Sequence, residues 1–313
     1  MVSVPRLFRN ESHGILVALT ISITASPSAK NSGLEVWMDR VLERADRARD
    51  GWDVDAVHDL RVALRRCRTI ADALNEVNPG PGWRKLKRAS RDLFRALGEL
   101  RDTQVLRAKV KKLGPAGDPV RKRMLALFAR NEKDFREAAE KALDDFDRKE
   151  WRKLTRKLIV KSRFFPQNSV VYQRLALTRL NEAAEMYQEA RRRKSAIAWH
   201  RLRIGLKSFR YLVENFLPQR YEVWADDLKR MQDLLGEVHD LDVLRQRIRR
   251  NCGKTNAAAV KQWIERIDRE RKGHLQEFLT KTSGAESPWL TWRAGFQWGH
   301  VLVATPAAER RTA

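Results

Sequence analysis

The chain holds only two cysteines in 313 residues, Cys67 and Cys252. Two thiols make no disulfide framework, so a bridge-stapled fold is excluded, and a reducing, cytoplasmic setting fits best. Alternating runs of β-branched residues are scarce, which leaves little from which to build a sheet. No stretch reaches the ~18–20 apolar residues of a membrane span. Acid is the most telling shortage: 40 Asp+Glu stand against 64 Lys+Arg, a formal charge of +24. Such an excess repels itself in a compact state unless a polyanion or counterions neutralise it. The partners this charge implies are nucleic acid, an anionic membrane surface or an inorganic polyanion. Hydrophobic content of 42% excludes general disorder, and the length suffices for a sizeable core.

What is present is helix signal. From Leu34 onward apolar residues recur at three and four spacings, and Ala, Leu, Glu, Lys and Arg dominate. The pattern predicts helices over 34–49, 54–77, 82–97, 102–113, 119–145, 149–161, 169–193, 196–216, 220–235, 239–250, 256–281 and 289–303. Pro- and Gly-containing breaks separate several of them. Residues 1–33 read as an extension, disordered or processed. Arg6, Arg9 and the apolar stretch Gly14–Ile23 loosely resemble a secretory signal, but Glu11 and His13 interrupt the approach and Thr20 and Ser22 weaken the stretch.

An internal repeat organises the rest. Val57-His58-Asp59-Leu60-Arg61-Val62-Ala63-Leu64-Arg65-Arg66-Cys67-Arg68 is matched by Trp199-His200-Arg201-Leu202-Arg203-Ile204-Gly205-Leu206-Lys207-Ser208-Phe209-Arg210. In both, a histidine precedes cations at +3, +7 and +10. A second pair follows at a similar offset, Leu97-Gly98-Glu99-Leu100-Arg101-Asp102 with Leu235-Gly236-Glu237-Val238-His239-Asp240. The order of elements is also shared, which predicts a duplicated helical bundle split at residues 34–165 and 166–313. Gly98 and Gly236 suit helix C-termini, and Asp102 and Asp240 suit the caps of the helices that follow. Arg101 and His239 have no such structural reason.

On a wheel of ~100° per residue, His58, Arg61, Arg65 and Arg68 share one side, opposite Val57, Leu60, Leu64, Cys67, Ala71 and Leu74. His200, Arg203, Lys207 and Arg210 lie in the same way opposite Leu202, Leu206, Phe209 and Val213. A solvated helix face usually mixes signs, with acid four residues before base. These stripes keep one sign for three turns and occur twice, which favours an anion-binding face. The segment 82–97 adds Arg88, Arg91 and Arg95, and its counterpart adds Lys229. For His58 and His200, capping or packing stands beside donation to a phosphate oxygen.

The paired His-x-x-Arg-x-x-x-Arg/Lys helices and the Leu-Gly-x-x-Arg/His-Asp motifs resemble the CHAD family, the conserved histidine α-helical domain, from Leu34 through 256–281 and on to His300. The resemblance implies an all-α fold of two four-helix bundles related by a pseudo-twofold, with a basic channel between them. It implies binding of inorganic polyphosphate, and association with polyphosphate granules in the cytoplasm. The binding residues it points to are His58, Arg61, Arg65, Arg66, Arg68, Arg101, His200, Arg203, Lys207, Arg210 and His239, beside Arg88, Arg91, Arg95 and Lys229. Lys207 stands where arginine is expected, and Ser208 breaks the double cation seen at Arg65-Arg66, which predicts a weaker grip in the second half. No triphosphatase strand of the Glu-x-Glu-x-Lys type accompanies the domain.

Other phosphate polyanions are alternative partners, nucleic acid first. No helix-turn-helix, zinc-finger or RNP pattern stands out, and aromatics are not interleaved with the stripes. The His58-Asp59 and His239-Asp240 dipeptides are also found in metal phosphohydrolases, yet His58 lies beside arginines that repel a divalent cation. The expectation is a binding protein with no cofactor, no metal and no catalytic residues.

Overall fold

The computed structural model describes residues 33–253 and 257–296. The apolar stretch Gly14–Ile23, the end of the helix expected over 289–303, and His300 lie outside the described residues. Within them the chain is all helix, with no strand. The order is α1 (Leu34–Gly51), α2 (Val54–Val77), α3 (Pro81–Ala89), α4 (Arg91–Leu113), α5 (Pro119–Asp144), α6 (Arg148–Ser162), α7 (Val170–Arg193), α8 (Ala196–Phe216), α9 (Pro218–Cys252), α10 (Ala257–Lys281) and α11 (Pro288–Ala294).

Local chemistry sets these ends. The Asp53 carboxylate accepts from the Asp55 and Ala56 amides at 2.8 and 2.7 Å and starts α2. Asp118, Asp147 and Ser195 cap α5, α6 and α8 in the same way. Proline opens α3, α5, α9 and α11, where its missing N–H has no carbonyl to meet.

Two expected breaks are absent. α4 runs through Gly98 and α9 through Gly236, so neither glycine ends a helix, and Asp102 and Asp240 are interior residues rather than caps. The reason is burial. Leu93, Leu97 and Leu100 flank Gly98 on one face, and Leu228, Leu235, Val238 and Leu241 flank Gly236, all nearly solvent-free. Burying those side chains is worth far more than the ~1 kcal/mol a helical glycine costs. The break in the first half falls instead at Ser90, between α3 and α4.

The apolar faces of α2 and α8 are the buried ones: Val57, Leu60, Leu64, Cys67 and Ala71 have no exposure, nor have Leu202, Phe209 and Val213. The larger core joins α1–α3, α6–α8, α11, the N-terminal parts of α4 and α9 and the C-terminal ends of α5 and α10. A second core lies between the far ends of α4 and α9 and helices α5 and α10. Both cores draw on both halves of the chain. The tryptophans serve them: Trp83, Trp151, Trp263 and Trp292 are at most 1% exposed. Cys67 and Cys252 are free thiols, one in each core. Among the described residues no helix is long and apolar enough to cross a membrane.

Candidate functional site

Because the apolar faces of α2 and α8 turn into the core and the two helices pack on each other, their opposite faces meet at a common space. That space is a cavity of about 840 Å³ whose walls are α2, α8, α4 and α9. α2 contributes His58, Arg61, Arg65 and Arg66; α8 contributes Arg203, Lys207 and Arg210. Arg101 on α4 and Lys229 and His239 on α9 join them, while Arg68, Arg88, Arg91, Arg95 and His200, also expected, do not line it.

The cations are held apart mostly by neutral groups. Arg61 donates to the Phe94 carbonyl at 3.2 Å, and its guanidinium lies over the Phe94 ring. Arg65 donates to the Tyr211 hydroxyl at 2.9 Å, linking the halves. Arg210 donates to Gln232 Oε1 at 2.8 Å. Arg203 Nε is buried with no hydrogen-bond partner, and Lys207 has neither a hydrogen bond nor an ion pair among the described residues. Burial pushes the Lys207 ammonium down to about 7, helped by Arg203, Arg65 and Arg61. Burial likewise lowers Arg61, Arg101 and Arg203. A site that takes cations out of water and sets them beside one another disfavours their charge, and an incoming anion would offset that cost.

Four acids share the wall, Asp102, Asp233, Glu237 and Asp240, with Asp233 3.0 Å from Lys229. Glu237 and Asp240 line the cavity beside Lys109, whose ammonium lies 2.6 Å from Glu237 and 3.8 Å from Asp240. Burial raises the Asp240 carboxyl despite Lys109 and Arg203. Arg66 is only 8% exposed and is paired with Glu214 of α8, beneath the Tyr211 ring. It is a clamp between the halves, not a free double cation. The missing cation at Ser208 therefore takes nothing from the second half that the first half offers to a ligand.

The histidines take unequal places. His58 stands exposed on the cavity wall, its imidazole lowered by partial burial and then by Arg101 and Arg65. His200 does not line the cavity; its Nδ1 lies 3.1 Å from Nδ1 of His239. One of those nitrogens must donate and the other accept, so the pair shares a proton. Burial, then Arg203 and His200, pushes His239 down to about 4. Burial, then Arg203 and Lys207, lowers His200 as well.

Arg68 departs from its counterpart Arg210. It turns to the broken end of α3, donating to the Lys87 carbonyl at 2.6 Å and to Ser90 Oγ at 3.2 Å. α9 has no such break, so Arg210 stays in the cavity. Arg88, Arg91 and Arg95 are exposed on α3 and α4 and do not line it. Gln232, Tyr211 and Lys109 were not foreseen. Lys229, Gln232, Gly236, His239 and Val243 follow one another at three and four spacing along α9, a stripe that the expected break at Gly236 had cut in two.

The two glycines differ in what they admit. A Cβ on Gly98 would sit 2.8 Å from Arg61 Nη1, whereas one on Gly236 meets nothing within 4 Å. Gly98→Ala should displace the Arg61 guanidinium and weaken anion binding several-fold, with little loss of stability because the obstructed group is the tip of a flexible side chain. Gly236→Ala should stabilise the helix by up to about 1 kcal/mol and leave affinity near wild type. Paired thermal melts and binding titrations separate the two.

Among the described residues no group of three or more His, Cys, Asp or Glu is arranged to hold a metal ion. The sequence model of the CHAD domain matches residues 34–249. A solved structure, the CHAD domain from the plant Ricinus communis, superposes with a TM-score of 0.56 at 22% identity, covering 84% of this chain and 88% of that one, and so shares the fold. No curated protein matches. The chain belongs to the CHAD domain family.

Proposed function

We propose that this protein binds inorganic polyphosphate in the basic cavity, without turning it over, and that it associates with polyphosphate granules. On this reading residues 34–165 and 166–313 are duplicate halves about a pseudo-twofold, and the cavity is part of a channel threaded by the polymer. The observation that carries it is Lys207, half-buried beside Arg203, Arg65 and Arg61 with no ion pair of its own among the described residues. Polyphosphate offers about one negative charge per residue and no bases, which is what dense forked cations match.

The aromatic rings of the wall favour polyphosphate over single-stranded nucleic acid. Phe94 is covered by Arg61 and Arg68, and Tyr211 by Arg66, at 4.8 to 4.9 Å. Guanidinium groups occupy the ring positions that a base would need for stacking. Competition between long polyphosphate and duplex DNA at matched salt decides between them; a preference for DNA overturns the reading. Release of phosphate from polyphosphate that a chelator abolishes would overturn its non-catalytic part.

The Lys207 ammonium gives the reading a pH signature. Its folded pKa, about 7, lies below the ordinary 10.5, so between these values the unfolded chain holds a proton the folded one lacks. Stability from this group therefore rises as pH climbs through that window. Binding acts in the opposite sense: a polyanion restores the charge, so the complex takes up a proton and affinity falls as pH rises above about 7. Calorimetry in buffers of different ionisation enthalpy should show proton uptake at pH 8. Lys207→Met should remove the uptake, raise the melting temperature and weaken binding.

A further inference from the structure

α6 presents a second basic surface, remote in sequence from the motif helices and unlike the cavity in character. Its core face is Trp151, Leu154, Thr155 and Leu158, all buried. At ~100° per residue, Arg152, Lys153, Arg156, Lys157 and Val160 fall on the opposite side, within about 140° of arc, and Phe164 follows in the turn after the helix. All six are exposed. Arg156 and Lys157 have no ion pair among the described residues, and Lys153 reaches Glu150 only at 4.0 Å.

The ridge ends in apolar groups that no core covers. Val160 is 63% exposed and Phe164 is 71% exposed. Phe165 is half-buried and packs onto Tyr172 of α7, ring centroids 6.4 Å apart. On α7 Val170 and Val171 are also exposed. Single exposed apolar residues are ordinary, but Val160 and Phe164 closing a run of four exposed cations on α6 are not.

We propose that this ridge docks the protein on an anionic phospholipid bilayer, with Phe164 and Val160 entering the headgroup–acyl boundary and the α6 cations facing lipid phosphates. A polyphosphate chain matches the cations but offers no apolar phase to Phe164 and Val160. An anionic bilayer matches both. The cavity does not face this demand, because its apolar walls are already closed by arginines.

Co-sedimentation of the full chain with vesicles tests it. Vesicles of phosphatidylcholine with phosphatidylglycerol should retain the protein, and phosphatidylcholine alone should not. Phe164→Ser should weaken retention by about tenfold, the loss of one buried aromatic anchor, and Arg156→Gln with Lys157→Gln by a similar factor. Lys207→Met should leave retention unchanged, and the α6 variants should leave polyphosphate affinity unchanged, so this proposal and the cavity reading fail separately. No retention on anionic vesicles overturns it, as does retention indifferent to Phe164→Ser. An equal loss of polyphosphate or nucleic-acid binding in the α6 variants also overturns it, by making the ridge part of a polyanion site.

Discussion

Changing Arg61, Arg65, Arg203 and Lys207 together to glutamate should lower polyphosphate affinity by more than about a thousandfold. These side chains come from both motif helices and line one cavity. Each charge-assisted hydrogen bond to a phosphate oxygen is worth roughly 1.5–3 kcal/mol, and reversal adds repulsion to the lost contact. The contributions are not additive at such short range, so the expected loss is set by two or three contacts rather than four. Polyphosphate binding should also weaken steeply with salt by counterion release. Replacement by glutamine, which keeps the side chains near their size, serves as the control for folding; it should melt no lower than wild type, since it relieves crowding among unpaired cations. Wild-type affinity in the glutamate variant would show that the polymer binds elsewhere.

Glu214→Gln should destabilise the fold by about 3–5 kcal/mol. Glu214 is paired with Arg66, and the two side chains are 18% and 10% exposed. Arg210 Nε lies 3.6 Å from the other carboxylate oxygen. Removing the charge strands two guanidinium groups in a wall that already holds Arg65 and Lys207. The pair also joins α2 to α8, so the loss falls on the contact between the halves. Urea unfolding should show a lower midpoint at unchanged slope. Arg66→Met combined with Glu214→Leu should recover most of the loss, because an apolar pair of similar volume carries no desolvation cost. A cost under 1 kcal/mol in Glu214→Gln would mean that solvent screens the pair.

The doubled stripe was legible in sequence because a helix has one period, and the cations at +3, +7 and +10 from His58 and from His200 keep it. Burial of the apolar sides then fixed where Arg61, Arg65, Arg203 and Lys207 had to point. Gly98 and Gly236 misled because local propensity speaks for a break, while the leucines on either side, which speak for continuity, act only through tertiary burial. With α9 cut at Gly236, its wall of the cavity was hidden. Arg66 and Arg68 could not be told from their neighbours by spacing. What engages them is Glu214, 148 positions from Arg66, and the Lys87 carbonyl near the break at Ser90 for Arg68. The periodicity predicts a helix over 149–161 but not which apolar residues packing leaves uncovered, and Val160 and Phe164 are two of these.

The most direct test of the central claim is a titration of the full chain with polyphosphate of increasing length at fixed salt, concentration being counted per chain. A cavity walled by cations from both halves predicts affinity that climbs with length and then levels once the polymer spans the walls. Affinity independent of length from the shortest oligomers upward, or rising without limit in step with total charge, would contradict a bounded site built from these residues.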